Sequence, residues 1–151
     1  MTNDELKNSI ESVLPSSTFD ETGEFLNVMI ASDDLFPLMN ELRTKTELDF
    51  DYLFCLTCID WKDHLMMVYH LLSKTHKHQL VIKAKITNRD DAKIETVCHI
   101  WRTAEFHERE VFDLFGVKFL NHPDLRRIFL DDNWEGYPLR KDYVDENMIE
   151  L

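Results

Sequence analysis

The residues of this chain that could carry chemistry fall into a few groups, and their spacing limits what each can do. Cys55 and Cys58 form a C-x-x-C pair, a spacing that serves a metal or a redox disulfide when both sulfurs converge. They stand in a nearly continuous apolar run, residues 50–61, that reads as a buried strand, and residues three apart on a strand face opposite sides. Only Cys98 is left as a third thiol, so no second pair completes a tetrahedral set. The three thiols read as reduced core residues. His107-Glu108 begins like a zincin helix, but the second histidine would fall at position 111, which is Val111. His76 and His78 read as solvated loop histidines. Gly23, Gly116 and Gly136 are the only glycines, which argues against a phosphate-cradling loop and so against dinucleotide or ATP binding. The acids Glu105, Glu108, Glu110 and Asp113 could form an acid/base cluster. They are interleaved with Arg102 and Arg109 at helical i+3 and i+4 spacings, as structural ion pairs are.

Those acids need a helix to position them. Thr103 is a plausible N-cap, residues 104–115 carry a helical pattern, and Gly116 stands where a left-handed C-cap is expected. At 100° per residue Trp101, Ala104, Val111, Phe112 and Phe115 share a stripe with Glu108 in its middle. A carboxylate in an apolar face calls for a cation, and Arg109 points about 100° away around the helix. The expected partner is therefore Arg126 or Arg127 downstream of Gly116, with Arg140 as the weaker candidate. The segment from 120 onward has neither helical nor strand period, yet it carries Phe129, Trp134, Tyr137, Tyr143 and three arginines. Aromatics with arginines are the composition of interface centres. An extended arm laid over a partner is expected, with His122, Phe129, Trp134, Tyr137, Arg140 and Tyr143 at the contact; the competing reading is an arm wrapped over its own domain.

In this region the residues carry a family resemblance. Glu108-Arg109-Glu110, then Asp113-Leu114-Phe115, then His122-Pro123-Asp124-Leu125-Arg126-Arg127-Ile128 resembles the signature of the 30 kDa (C) subunit family of respiratory complex I. Residues 134–143, from Trp134 to Tyr143, are similar to the segment that follows in that family, and residues 50–104 resemble it more loosely. The chain departs from the usual pattern at Phe106, Asp131 and Val144, where the family has Trp, Pro and often Pro. The resemblance implies a non-catalytic scaffold subunit in the hydrophilic arm of a proton-translocating NADH:quinone oxidoreductase. It also implies that this chain holds no cofactor, with iron–sulfur clusters, FMN and quinone in partner subunits. The implied neighbours are other hydrophilic-arm subunits, chiefly the quinone-pocket (D) subunit. The implied location is peripheral, on the cytoplasmic side of a bacterial cell membrane. Related membrane-bound hydrogenases and other donor:quinone complexes have equivalent subunits.

Composition supports part of this. The chain has 151 residues, 44% hydrophobic and 30% charged, enough for one compact domain with a sizeable core. Seventeen basic against 29 acidic residues give a net charge of −12, which repels nucleic acid and anionic membrane surfaces. No apolar run approaches the ~20 residues of a membrane span, and the opening residues look like neither a signal nor a transit peptide. A cytosolic protein, reaching a membrane only through partners, is expected.

In chain order, residues 4–14 read as an amphipathic helix ended by Pro15, and 25–31 as a strand. Ser32-Asp33-Asp34 then opens a helix that runs to about Lys45. Residues 50–60, 64–72 and 78–87 read as strands, the last two as a hairpin. Asp90-Asp91 opens a further helix with Ile94, Val97, Cys98 and Trp101 inward, followed by the 104–115 helix and at most a short strand at 117–119. This order defines an α+β fold, helices packed on one mixed four-stranded sheet. The division expected is a globular domain at 1–119 and an arm at 120–151. A second class of function stands beside the scaffold: a small free-standing thiol or metal redox enzyme using Cys55, Cys58 and Cys98.

Overall fold

The computed structural model describes residues 1–149; the last two positions of the expected arm, 150 and 151, lie outside the described residues. Helix α1 (Asn3–Val13) starts at a capping box, with the Thr2 hydroxyl accepting from the Glu5 amide and the Glu5 carboxylate accepting from the Thr2 amide. Strand β1 (Thr18–Asp20) and β2 (Leu26–Ala31) follow. A 3-10 turn (Ser32–Asp34) leads into α2 (Leu35–Thr44), where Pro37 falls in the first turn and needs no amide partner. Strands β3 (Tyr52–Asp60), β4 (Leu65–Ser73) and β5 (His78–Ile86) form an antiparallel meander. β5 then pairs in parallel with β2, so the sheet is mixed, in the order β1-β2-β5-β4-β3.

The fold is α+β, but the sheet has five strands rather than four. The extra strand, β1, is three residues long and pairs antiparallel with β2; so short a run offers no period to read. All three helices pack on one face of the sheet. Leu6 and Ile10 of α1, Leu35, Leu38, Met39 and Leu42 of α2, and Ala104 and Val111 of the third helix share a core with alternate strand residues such as Leu56, Met67, Tyr69 and Ile82. Burying a side chain of this size contributes about 1.5–3 kcal/mol.

The expected helix opening at Asp90-Asp91 does not form. Asn88 instead accepts the Asp90 and Asp91 amides at 3.2 Å. Lys93–Glu95 is strand β6, and Ile100 and Trp101 close a turn on the Val97 carbonyl. Ile94, Val97, Cys98 and Trp101 are buried as the helical spacing required, but a strand followed by a turn buries them. The β-branched run Ile94, Thr96 and Val97 favours the extended form, and a neighbouring carboxylate takes the Val97 amide that a helix would have used. Helix α3 (Ala104–Phe115) follows, then β7 (Lys118–Leu120), which pairs in parallel with β6. Thr103 does not cap α3 with its side chain; its hydroxyl donates to the Leu53 carbonyl at 2.9 Å, fastening the helix start to β3. Gly116 ends α3 at φ 76°, the left-handed position expected for it.

Candidate functional site: the joint of helix and arm

Glu108 is wholly buried on α3, and its partner is not an arginine. One carboxylate oxygen accepts the Val97 amide at 2.8 Å and the other accepts the Thr96 hydroxyl. His122 Nε2 lies 3.8 Å from the second oxygen. Burial pushes the Glu108 carboxyl up to about 7, against the pull of its two hydrogen bonds. The expectation of a pair with Arg126, Arg127 or Arg140 is thus corrected. The β6–α3 connection lies against Glu108, and its backbone amide and hydroxyl occupy the carboxylate where a guanidinium was expected.

The three arginines have other partners, and Arg127 serves another acid. Arg127 Nη1 lies 2.9 Å from an Asp113 carboxylate oxygen and 2.7 Å from the Asp113 carbonyl oxygen. The second Asp113 oxygen accepts the amides of Ile128, Phe129 and Leu130 at 3.2, 2.7 and 3.1 Å. Burial alone would raise the Asp113 carboxyl, but Arg127 and these amides outweigh it and hold it below its ordinary value. Arg126 pairs on the surface with Asp124. Arg140 donates to the Phe115 and Arg89 carbonyls. A carboxylate near a helix C-terminus is disfavoured by the helix dipole, so Asp113's place in the last turn of α3 was the available sign that it had a dedicated partner.

A second buried carboxylate anchors the arm further on. Asp60, at the end of β3, pairs with Arg89 and accepts the Lys141 amide at 2.8 Å. Burial pushes this carboxyl up, while Arg89 and the Lys141 and Lys62 amides more than compensate and bring it down to about 2. Arg109, also on α3, donates to the carbonyls of Arg126 and Arg127 at 3.1 and 3.0 Å. Tyr137 lies against Gly116, where an added Cβ would sit 2.6 Å from the ring, and between the guanidinium groups of Arg127 and Arg140 at 5.1 and 5.6 Å. The arm is therefore strapped to its own domain at α3 and β3.

Of the residues expected at a partner interface, three turn toward the domain: His122 donates to the Glu105 carbonyl at 3.0 Å, Tyr137 covers Gly116 and Arg140 holds carbonyls. Tyr143 stays within the arm, its ring against Gly136 and its hydroxyl donating to Asp145 at 3.0 Å. Phe129 is 66% exposed and Trp134 is partly exposed, joined by Leu139 and Val144. The aromatic and arginine content of the arm thus divides: most of it braces the domain, and a few apolar side chains remain outward.

The thiols divide as well. Cys55 registers with His70 and Cys58 with Met67, which places them on opposite faces of the sheet. Burial pushes the Cys58 thiol up to about 12, far from a reactive thiolate. Cys98, Glu108 and His122 bring donor atoms within 4.8 Å of one another, a grouping that sequence spacing did not reveal. His122 Nδ1 accepts the Asp124 amide at 3.0 Å, so Nε2 carries the proton and donates it to Glu105. The nitrogen that faces the cluster has no lone pair to offer a metal, and the group acts as a hydrogen-bonded joint.

The α+β fold of this chain is shared with a chain of a respiratory membrane complex. The chain is similar to one in the structure of the membrane-bound sulfane sulfur reductase (MBS), an archaeal respiratory membrane complex, with a TM-score of 0.76 at 28% identity over 93% of this chain and 85% of that one. The chain belongs to the family of the respiratory-chain NADH dehydrogenase 30 Kd subunit, which matches residues 28–147. It is 42% identical over 134 residues to the NADH-quinone oxidoreductase C subunit of Geotalea uraniireducens, covering 85% of this chain and 80% of that protein. To the C subunit of Chloroherpeton thalassium it is 46% identical over 104 residues, 68% of this chain and 43% of the relative. To the NADH-quinone oxidoreductase C/D subunit of Phocaeicola vulgatus it is 43% identical over 125 residues, 82% of this chain but 24% of the relative. The chain therefore spans less than half the length of some of the relatives it matches. Among the described residues no helix is long and apolar enough to cross a membrane.

Proposed function

We propose that this chain is the 30 kDa (C) subunit of a proton-translocating NADH:quinone oxidoreductase, a scaffold that itself performs no electron transfer. Its role is to hold the quinone-pocket (D) subunit in the hydrophilic arm, peripheral to the cytoplasmic side of a bacterial membrane, while iron–sulfur clusters, FMN and quinone belong to partner subunits. The observation that carries this reading is the set of relatives named as C/D subunits, in which a segment like this one shares a polypeptide with a D portion. Fusion maintains two parts at a high effective concentration, as subunits that must stay together require. The outward Phe129, Leu139 and Val144 of the strapped arm supply apolar contacts on a support that is already ordered, which lowers the entropic cost of docking.

The test is co-expression of the full chain with a quinone-pocket subunit from a close relative. Phe129→Asp and Leu139→Asp should abolish co-purification without changing the circular dichroism of the free chain, and the free chain should neither oxidise NADH nor reduce quinone. Turnover by the free chain, or undiminished co-purification of both variants, would overturn the reading. The likeness to a sulfane sulfur reductase chain favours a second reading, an equivalent subunit of a related complex with another electron acceptor. Identity to the quinone-linked relatives is higher, and the second reading stands behind the first for that reason.

A further inference from the structure

Among the described residues no helix covers the face of the sheet opposite α1, α2 and α3. Strand register lays its residues out in rows: Ile59, Met66, Lys85 and Ala31 form one, and Thr57, Val68, Lys83, Met29 and Thr18 form the next. Val68 and Val81 on this face are buried yet lie outside the core cluster, so the longer side chains beside them, rather than a packed element, shield them. Along its β3 margin Tyr52 and Phe54 are exposed with ring centroids 6.0 Å apart, and Ile59 and Trp61 are exposed further along, Trp61 with the Lys141 ammonium 6.0 Å from its ring; exposed apolar surface of this kind marks an interaction site.

The charge on this face is opposite to that of the chain. In a protein of net charge −12, Lys83 and Lys85 stand at the middle of the face, and among the described residues neither forms an ion pair. Asp20 on β1 and Asp63 in the β3–β4 turn feel the charge of Lys83 and Lys85 respectively but form no ion pair with them; Asp20 accepts the Thr22 amide at 2.9 Å, and Asp63 holds His64 at 2.8 Å. Lysines guard the edges of sheets against pairing, but β5 is the central strand, flanked by β2 and β4. Nor is the β3 margin an open template for another strand. It carries a bulge between Leu53 and Cys55, and its Leu53 carbonyl is already taken by Thr103. What fits is an element laid across the face: with the strand edge closed, a sheet face is buried by a second sheet or by a helix, and a helix can present acids beside an apolar stripe.

We propose that this face docks an amphipathic helix of a second partner subunit, apolar toward Met29, Met66 and Ile59 and bearing Asp or Glu side chains that meet Lys83 and Lys85. The proposal rests on the reading that the chain works inside a multisubunit complex, and it adds a contact on the side away from α3. A second copy of this chain would bring lysines against lysines, and an anionic membrane would meet the repulsion of the whole molecule.

The test uses the intact complex, isolated through a tag on the full chain, compared with the free chain. N-hydroxysuccinimide acetate should label Lys83 and Lys85 in the free chain and lose that labelling in the complex, while exposed Lys77 and Lys93 label equally in both. Carbodiimide should join Lys83 or Lys85 to a carboxylate in a helix of another subunit. Lys83→Glu/Lys85→Glu should release that subunit, through repulsion at the contact, while the quinone-pocket subunit stays bound; Lys83→Gln/Lys85→Gln, with the fold checked by circular dichroism, should weaken it. Equal labelling of both lysines in complex and free chain overturns the proposal, as do carbodiimide links only to a second copy. Protection produced by phosphatidylglycerol vesicles alone assigns the face to lipid and overturns it equally. Recovery of the tagged chain without any other subunit would instead overturn the complex reading, and the proposal with it.

Discussion

Glu108 brings a carboxylate into the core with two hydrogen bonds and no guanidinium, and this has a consequence for stability. Burial raises its carboxyl from the ordinary value to about 7, so between these pH values the folded chain holds a proton that the unfolded chain has released. Stability is then full below the unfolded value and falls as pH rises through the folded one, by about 3 kcal/mol in total. Urea midpoints of the wild type should drop between pH 5 and 8, and those of Glu108→Gln should be much flatter. The difference between the two proteins isolates Glu108 from His122 and the other histidines. A parallel pH dependence in both would show that Glu108 is not the titrating group. The Asp60 carboxyl, held down at about 2, acts in the opposite sense and gives up stability only in strong acid, as pH falls from the ordinary carboxylate value through about 2.

At the scale of elements, the helix and the arm are joined by an ion pair that does two jobs. Asp113 binds Arg127 and three successive amides of the arm, and Arg127 spans from Asp113 to the carbonyls of Trp134 and Gly136 at 3.0 and 2.9 Å. Removing one side leaves a buried charge or a set of amides unpaired. Asp113→Asn and Arg127→Met are therefore each expected to cost about 3–5 kcal/mol. The double variant should cost far less than the sum, measured by chemical unfolding. Additive losses would show that the two act through separate partners. Glu108 and Arg127 are expected to give additive losses, since nothing joins them directly.

Across the whole molecule the arm is a brace, and in the proposed complex it is also a platform. Truncation after Asn121 removes His122 beside Glu108, Arg127 and the three amides that hold Asp113, and the Lys141 amide on Asp60, while Thr96, Val97 and Arg89 stay with Glu108 and Asp60. The sheet of β2 to β5 keeps its own ladder and the cover of α1 and α2. Hydrogen exchange of the truncated chain should therefore lose protection in α3 while β4 and β5 stay protected. Unchanged protection in α3 would show that the arm contributes nothing to the domain and serves a partner alone. The exposed Phe129, Leu139 and Val144 lie on the outward side of the arm, and the helix-free sheet face is a separate exposed surface.

The amino-acid sequence by itself determined the elements that repeat. Periods of 3.6 and 2 are local, so α1, α2, α3 and the strands β2 to β5 were legible, as was the left-handed turn at Gly116, where a glycine follows an apolar stripe. The family was legible too, from the ordered run between Glu108 and Tyr143. Three-residue strands carry no period: a short strand at 117–119 was expected and β7 stands at 118–120, but β1 and β6 were not legible, since they exist only where another strand offers a ladder. Ile94, Val97, Cys98 and Trp101 satisfied a helical spacing, yet the Val97 amide went to Glu108. The partners of the buried acids were also a tertiary matter. Glu108 and Asp113 are five residues apart on one helix, and three arginines lay within reach in sequence. Only the path of the chain after Gly116 brought Arg127 to one acid and left a hydroxyl, an amide and a histidine around the other, because hydrogen-bond geometry selects by position in space and sequence distance does not encode it.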